Sequence, residues 1–155
     1  MLLPLFEEDG DTRLVLTKRP ETMPSHRGEI AFPGGKIEPG VDRDARDAAL
    51  PTLGTVVGQF MISPFVGLTD GRPAVTADSR EVDRVFDVSL SELLSDGVYR
   101  EERWGWGLDG PGRAMQFFEL EDETVWGATA RILSAFLLRI LDLPVTGDWD
   151  DWTRG

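Results

Sequence analysis

The sequence predicts a single mixed α/β (α+β) domain, and three observations carry that prediction. Two pairs of apolar runs are broken by turn residues, Asp9-Gly10 in one and Asp109-Gly110-Pro111-Gly112 in the other, which is how β-hairpins read. One long stretch, Thr124 to Leu141, repeats its apolar residues at helical spacing. No internal repeat or low-complexity segment interrupts the interleaving of strands with two or three helices. The 155 residues suit one domain with a real core. At 41% apolar and 28% charged the composition is that of a folded chain.

In chain order, Leu2–Phe6 and Arg13–Thr17 form the first predicted hairpin. Lys18 to Arg27 holds two prolines and no periodicity and reads as a loop. Gly28 to Phe32 is a short strand stopped by Pro33-Gly34-Gly35. Asp42 to Leu50 starts a helix with acid in its first turn and is cut at Pro51. Phe60 to Leu68 is strand-like around Pro64, and Val82 to Val88 is a further strand. Ser89-Leu90-Ser91-Glu92 is a capping box opening a short helix to about Leu94. Val98–Trp104 and Arg113–Leu120 form the second hairpin. The helix Thr124–Leu141 carries one apolar series through Val125, Ala128, Ile132, Phe136 and Ile140. Another runs through Trp126, Ala130, Leu133, Leu137 and Leu141; both read as core packing. Residues 145–155 are a polar tail in which Trp149 and Trp152 cover a surface groove.

Charge and cysteine content exclude several classes. With no cysteine there is no disulfide scaffold, thiol nucleophile or cysteine-ligated metal. A net charge of −12 disfavours broad nucleic-acid or anionic-membrane binding, and suits either a salt-rich cytoplasm or an ordinary acidic protein of a GC-rich genome, where Arg codons replace Lys codons. The apolar stretch Ile132–Leu141 is too short to span a bilayer, and no basic segment leading into an apolar run opens the sequence. The expectation is a soluble cytoplasmic protein of unspecified oligomeric state. Thr17 to Lys36 nevertheless carries +2, with both lysines and the lone His26, leaving −14 for the remainder. A positive island in an acidic chain suggests a local phosphate or pyrophosphate site.

That island contains Leu16-Thr17-Lys18-Arg19, a loop, and then Gly28-Glu29-Ile30-Ala31-Phe32-Pro33-Gly34-Gly35-Lys36-Ile37-Glu38-Pro39-Gly40. The run resembles the Nudix hydrolases, and within them the coenzyme A pyrophosphatase branch, whose members carry an LTxR segment and GExxFPGG ahead of the Nudix box. Phe60–Gly67, Glu81–Leu94 and Val125–Leu133 resemble the same branch in the same order. The resemblance implies an α/β/α sandwich with a mixed sheet. It also implies hydrolysis of the diphosphate linkage of coenzyme A or its derivatives, giving adenosine 3′,5′-bisphosphate and a 4′-phosphopantetheine, with Mg²⁺ or Mn²⁺ as cofactor. The chemistry agrees: a pyrophosphate diester is stable and anionic, and hard cations held by carboxylates neutralise it and activate water.

The sequence departs from this family at one place. The Nudix box, G-x5-E-x7-R-E-U-x-E-E-x-G-U with U aliphatic, presents three Glu on one helix face. Here Gly35 opens the box, but Val41 stands where Glu is usual, and Leu50 runs directly into Pro51-Thr52-Leu53-Gly54. A helix remainder, loop and strand are missing together, roughly 20 residues by mean element lengths. The signature helix is therefore truncated and its glutamates absent. Glu7-Glu8, in a hairpin, and Glu101-Glu102, in a strand, do not replace them. A natural loss, an internal deletion and a written sequence that skips residues of the molecule all remain open. The clean join and nearly intact flanking motifs favour the last two together over slow decay.

Residue by residue, Arg19, Arg27, Gly34, Gly35 and Lys36 are the candidates for substrate phosphates. Guanidinium suits bidentate phosphate contact, and glycine lets the backbone approach closely. Glu38, Glu29 and Asp47 are the candidate metal carboxylates, with Asp44 beside Asp47 on the helix fragment; a solvated acidic face is the competing reading for the two aspartates. His26 reads as a solvated loop residue, and Glu81, which matches a position of the resembled family, reads at least as well as structural. The expected function is thus a Nudix pyrophosphatase of small-molecule substrates whose turnover is compromised. The alternative is a non-catalytic nucleotide-binding or structural remnant.

Overall fold

A computed structural model describes residues 1–34, 64–75, 80–105 and 112–143. Strands β1 (Leu2–Glu8) and β2 (Asp11–Lys18) form the first hairpin in the register Leu5↔Leu14 to Glu8↔Asp11. Its two turn residues, Asp9 and Gly10, both have positive φ (54° and 79°). This turn has the backbone twist that right-handed strands require, which is why Asp-Gly marks it in sequence. Leu3–Phe6 and Leu14–Thr17 are buried without alternation, so both faces of the hairpin are covered.

β2 is the centre of a five-stranded mixed sheet. One edge pairs antiparallel along its length with β5 (Arg84–Ser89), from Arg13↔Ser89 to Lys18↔Arg84. The other edge is shared by β1 and then by β3 (Ile30–Ala31), through Thr17↔Ala31 and Lys18↔Ile30. Beyond β3 the chain reaches β1, where Leu2 N–H donates to Pro33 O at 2.7 Å. β4 (Phe65–Thr69) lies parallel to β1, Leu2↔Phe65 to Phe6↔Thr69. After β5 comes the helix α1 (Leu90–Leu93), where Ser89 Oγ accepts from Glu92 N–H at 3.1 Å. Ser89 thus caps the helix as its place in the sequence implies.

A second, three-stranded antiparallel sheet follows: β6 (Tyr99–Trp104), β7 (Arg113–Glu119) and β8 (Thr124–Trp126). β8 corrects the sequence reading, which gave its three residues to the helix. Thr124-Val125-Trp126 fits either periodicity, but its backbone pairs with β7 through Phe117↔Trp126 to Glu119↔Thr124. Val125 is buried between two exposed neighbours, and Gly127 turns the chain at φ 65°. Helix α2 then runs from Gly127 to Ile140. It stops in a Schellman arrangement: Leu143 N–H donates to Leu138 O and Asp142 N–H to Arg139 O, with Asp142 at φ 53°.

Leu14, Leu16, Phe32, Phe118, Val125, Ala130 and Leu133 meet in one core that joins both sheets to α2. The fold is mixed α+β with a mixed sheet, consistent with a Nudix-like α/β sandwich. The predicted helix at 42–50, residues 60–63, the turn at 109–111 and the tail at 145–155 lie outside the described residues. Among the described residues no helix is long and apolar enough to cross a membrane.

Candidate functional site

The loop between β2 and β3 is held at its neck by backbone pairing rather than by its own composition. Past the register Lys18↔Ile30, Arg19 N–H donates to Glu29 O at 3.0 Å. Thr17 Oγ1 donates to Ala31 O at 3.0 Å in the buried interior. Asp83 N–H donates to Lys18 O at 2.9 Å from the opposite edge. The LT of the LTxR segment is thus core, and the arginine after it sits where β2 leaves the sheet. Arg19 is buried at 8% exposure, whereas Arg27, at the far end of the loop, is exposed.

His26 and Gly28 shape the return. His26 adopts φ 54° and places Nδ1 2.9 Å from Glu29 Oε2. Gly28 adopts φ 61°, a region a side chain enters at a cost. His26, read from sequence as solvated, is instead half-buried beside a carboxylate. Glu29 thereby has a protein partner, which competes with any role for it as a metal ligand. Gly34 has a packing reason: a Cβ there would stand 2.8 Å from the Met1 Cα. Where the strand that follows the loop crosses the start of β1, only glycine fits.

Lys18 belongs to the positive island by sequence but is otherwise engaged. Its Nζ donates to Glu123 Oε1 at 3.0 Å, and Arg84 Nη1 lies 3.7 Å from the same oxygen. Glu123 sits in the turn before β8, 105 residues from Lys18, and no local pattern in the sequence points to it. The structure therefore brings Arg19, His26, Arg27 and Glu29 into one loop, ends that loop's return at Gly34, and assigns Lys18 to an ion pair. Gly35, Lys36, Glu38, Asp44 and Asp47 lie outside the described residues. Glu81 is half-buried in the turn before β5.

Among the described residues no three His, Asp or Glu side chains converge as a metal donor set. Those residues do not fit a hard divalent cation, which needs several oxygen ligands at once.

No family model matches the chain. Individual relatives do. It is 34% identical to "Nudix hydrolase 22, chloroplastic" of Arabidopsis thaliana, over 86% of this chain and 52% of that protein. It is 31% identical to "Uncharacterized Nudix hydrolase NudL" of Photorhabdus laumondii, over 86% of this chain and 79% of that protein. "Nudix hydrolase 15, mitochondrial" of Arabidopsis thaliana is 30% identical over 86% of this chain and 55% of its own length. The chain thus spans about half the length of the two plant relatives and about four fifths of the bacterial one. The alignment to the first runs to 158 positions yet takes in 86% of a 155-residue chain. About two dozen aligned positions of that relative therefore face no residue here, a number close to the roughly 20 residues of an average helix remainder, loop and strand.

Proposed function

The chain belongs to the Nudix hydrolase family, and we propose that its β2–β3 loop is the substrate-side element of a site for nucleoside diphosphate derivatives of the coenzyme A type. Nudix hydrolases act on small-molecule nucleoside diphosphate derivatives and generally use divalent metal ions. The observation that carries the finer reading is the GExxFPGG run, whose Glu29 carbonyl holds the neck of the loop that LTxR opens. In this reading Arg19 and Arg27 hold phosphate oxygens, with Gly34, Gly35 and Lys36 along the same approach. Glu38 and Asp47 stand on the metal side with Glu29, for Mg²⁺ or Mn²⁺.

Hydrolysis by the chain as written is slight or nil in this reading. The R-E-x-x-E-E carboxylates are absent from the sequence, and Glu29 is shared with His26. Binding then outlasts catalysis, because phosphate recognition by arginine and backbone does not need the missing helix.

The test is to incubate the 155-residue chain, its intact mass verified, with coenzyme A and with ADP-ribose. Mg²⁺ or Mn²⁺ is present or absent, products are followed by chromatography and binding by calorimetry. Metal-independent binding of coenzyme A with little product is expected. Brisk Mg²⁺-dependent turnover would overturn the reduced activity, and preference for ADP-ribose would overturn the coenzyme A class. Metal-independent binding with no product at all would favour the rival, a non-catalytic nucleotide-binding remnant, and absence of binding to either would point to a damaged fold.

A further inference from the structure

β8 lies against β3, and the turn before it is pinned to the neck of the β2–β3 loop, since Glu123 Oε1 accepts from Lys18 Nζ at 3.0 Å. The strand has two unlike sides. Val125 joins the core that holds Ile30 and Phe32, the residues on which the loop returns. Trp126 stands on the opposite side, because successive strand residues alternate. The register places Arg100, Phe117 and Trp126 in one row across that outer face.

The row is occupied unevenly. The Arg100 guanidinium lies 4.0 Å from the centre of the Phe117 ring, and the Trp104 ring packs on it at 5.9 Å between centroids. Phe117 is left buried. Trp104 is engaged further by its indole N–H, which donates to Glu102 Oε2 at 2.6 Å. Trp126 is 40% exposed. Among the described residues its indole takes no ring contact or hydrogen bond. An indole is a large apolar body with one donor, and a folded chain ordinarily finds a use for both.

We propose that Trp126 is the seat of the substrate's nucleobase, taking the adenine ring by stacking while the neighbouring loop holds the phosphates. This rests on the reading of that loop under the proposed function, to which it adds the base half of the ligand. Continuity argues for it first. From Glu123, at the loop's neck, to Trp126 is three residues, about 10 Å of strand, a separation that one nucleoside diphosphate bridges. Tyr99, Trp104 and Trp126 are the exposed aromatic side chains among the described residues, and of these Trp126 alone stands on the strand that adjoins β3.

Chemistry fits as well. A purine presents a flat π-face, and stacking on an aromatic side chain is favourable without any hydrogen-bond readout. The platform is also set in advance. Pairing with Phe117 fixes the Trp126 backbone on one side and the turn at Gly127 fixes it on the other, so little freedom is lost when a ring settles there.

The test gives the 155-residue chain coenzyme A, adenosine 3′,5′-bisphosphate and 4′-phosphopantetheine in turn. In calorimetry, Trp126→Leu should bind coenzyme A and the adenosine half about tenfold more weakly, with 4′-phosphopantetheine unchanged. Trp126→Phe, which keeps an aromatic face, should recover most of that loss. A second readout uses the unmodified chain. Its indole N–H resonance, identified by its absence from the Trp126→Phe spectrum, should shift with adenosine 3′,5′-bisphosphate and stay still with 4′-phosphopantetheine. Unchanged affinity for the adenosine half in Trp126→Leu, or an unmoved resonance at saturation, overturns the proposal and leaves the loop reading intact. Equal weakening of all the probes overturns it too, by making Trp126 a packing residue. If the unmodified chain binds none of them, the loop reading fails and the base seat with it.

Discussion

β2 and β4 are both partners of β1, yet they live in different surroundings. β2 is hydrogen-bonded along both edges, to β5 on one side and to β1 and β3 on the other, and Leu14 and Leu16 are wholly buried. β4 is paired with β1 alone among the described residues, and its Leu68 is 79% exposed. Similar apolar sequence thus meets opposite conditions. Strand-forming residues make the strand in both cases, but only position in the sheet determines whether an apolar side chain contributes to stability. The β2–β3 loop is attached to the enclosed strand, where backbone hydrogen bonds join its two ends.

The largest expected consequence of this difference is in paired truncations. Leu16→Ala should cost about 3 kcal/mol, transfer plus cavity, while Leu68→Ala should cost less than about 0.5 kcal/mol. Urea midpoints of the two variants compare them directly, and equal losses would erase the contrast. Next comes Gly34→Ala, where the new Cβ meets Met1 backbone that a side-chain rotation cannot clear. A loss of about 2 kcal/mol is expected from this overpacking, and an unshifted melting curve would show that the crossing of β3 and β1 yields freely.

Asp87 connects the two regions and makes the comparison depend on pH. On β5, it accepts from Arg13 Nε of β2 at 2.5 Å, and from Arg72 Nε, just past β4, at 2.8 Å. Burial pushes the Asp87 carboxyl up, but hydrogen bonds and charges from Arg72 and Arg13 together more than reverse this, leaving it below the usual carboxylate range. A depressed folded-state value means the unfolded chain binds the proton first. The stabilisation is therefore present above the ordinary value of 3.8 and lost as pH falls through the folded one. Asp87→Asn should cost about 1–2 kcal/mol at neutral pH and flatten the acid limb of stability below about pH 4. An acid limb identical to that of the unmodified chain would remove Asp87 as the link.

The smallest effect is a gain. Asp142 occupies a left-handed position at the end of α2, where glycine is unstrained, so Asp142→Gly should stabilise by about 0.5–1 kcal/mol in thermal melts. A loss instead would mean that the aspartate side chain contributes more there than the backbone strain costs.

Much of this was legible locally. Asp9-Gly10 specifies its turn through two positive φ values, and Ser89 with Glu92 specifies a helix start, because both devices act within four residues. Thr124–Trp126 was misread as helix because three residues satisfy either periodicity. The strand is decided by β7, which only tertiary pairing supplies. In the candidate site, the LTxR and GExxFPGG runs located the loop and its glycines. Sequence did not show that Lys18 is spent on Glu123 or that His26 leans on Glu29.

By itself, then, the sequence determined the family, the hairpins, the cap and the absence of the R-E-x-x-E-E carboxylates, since each is written in contiguous residues. The structure decided that Lys18 pairs with Glu123 and His26 with Glu29, why Gly34 must be glycine, and which apolar strand residues are core. Those outcomes depend on contacts between residues tens of positions apart, and a local pattern cannot encode what the chain will meet once folded.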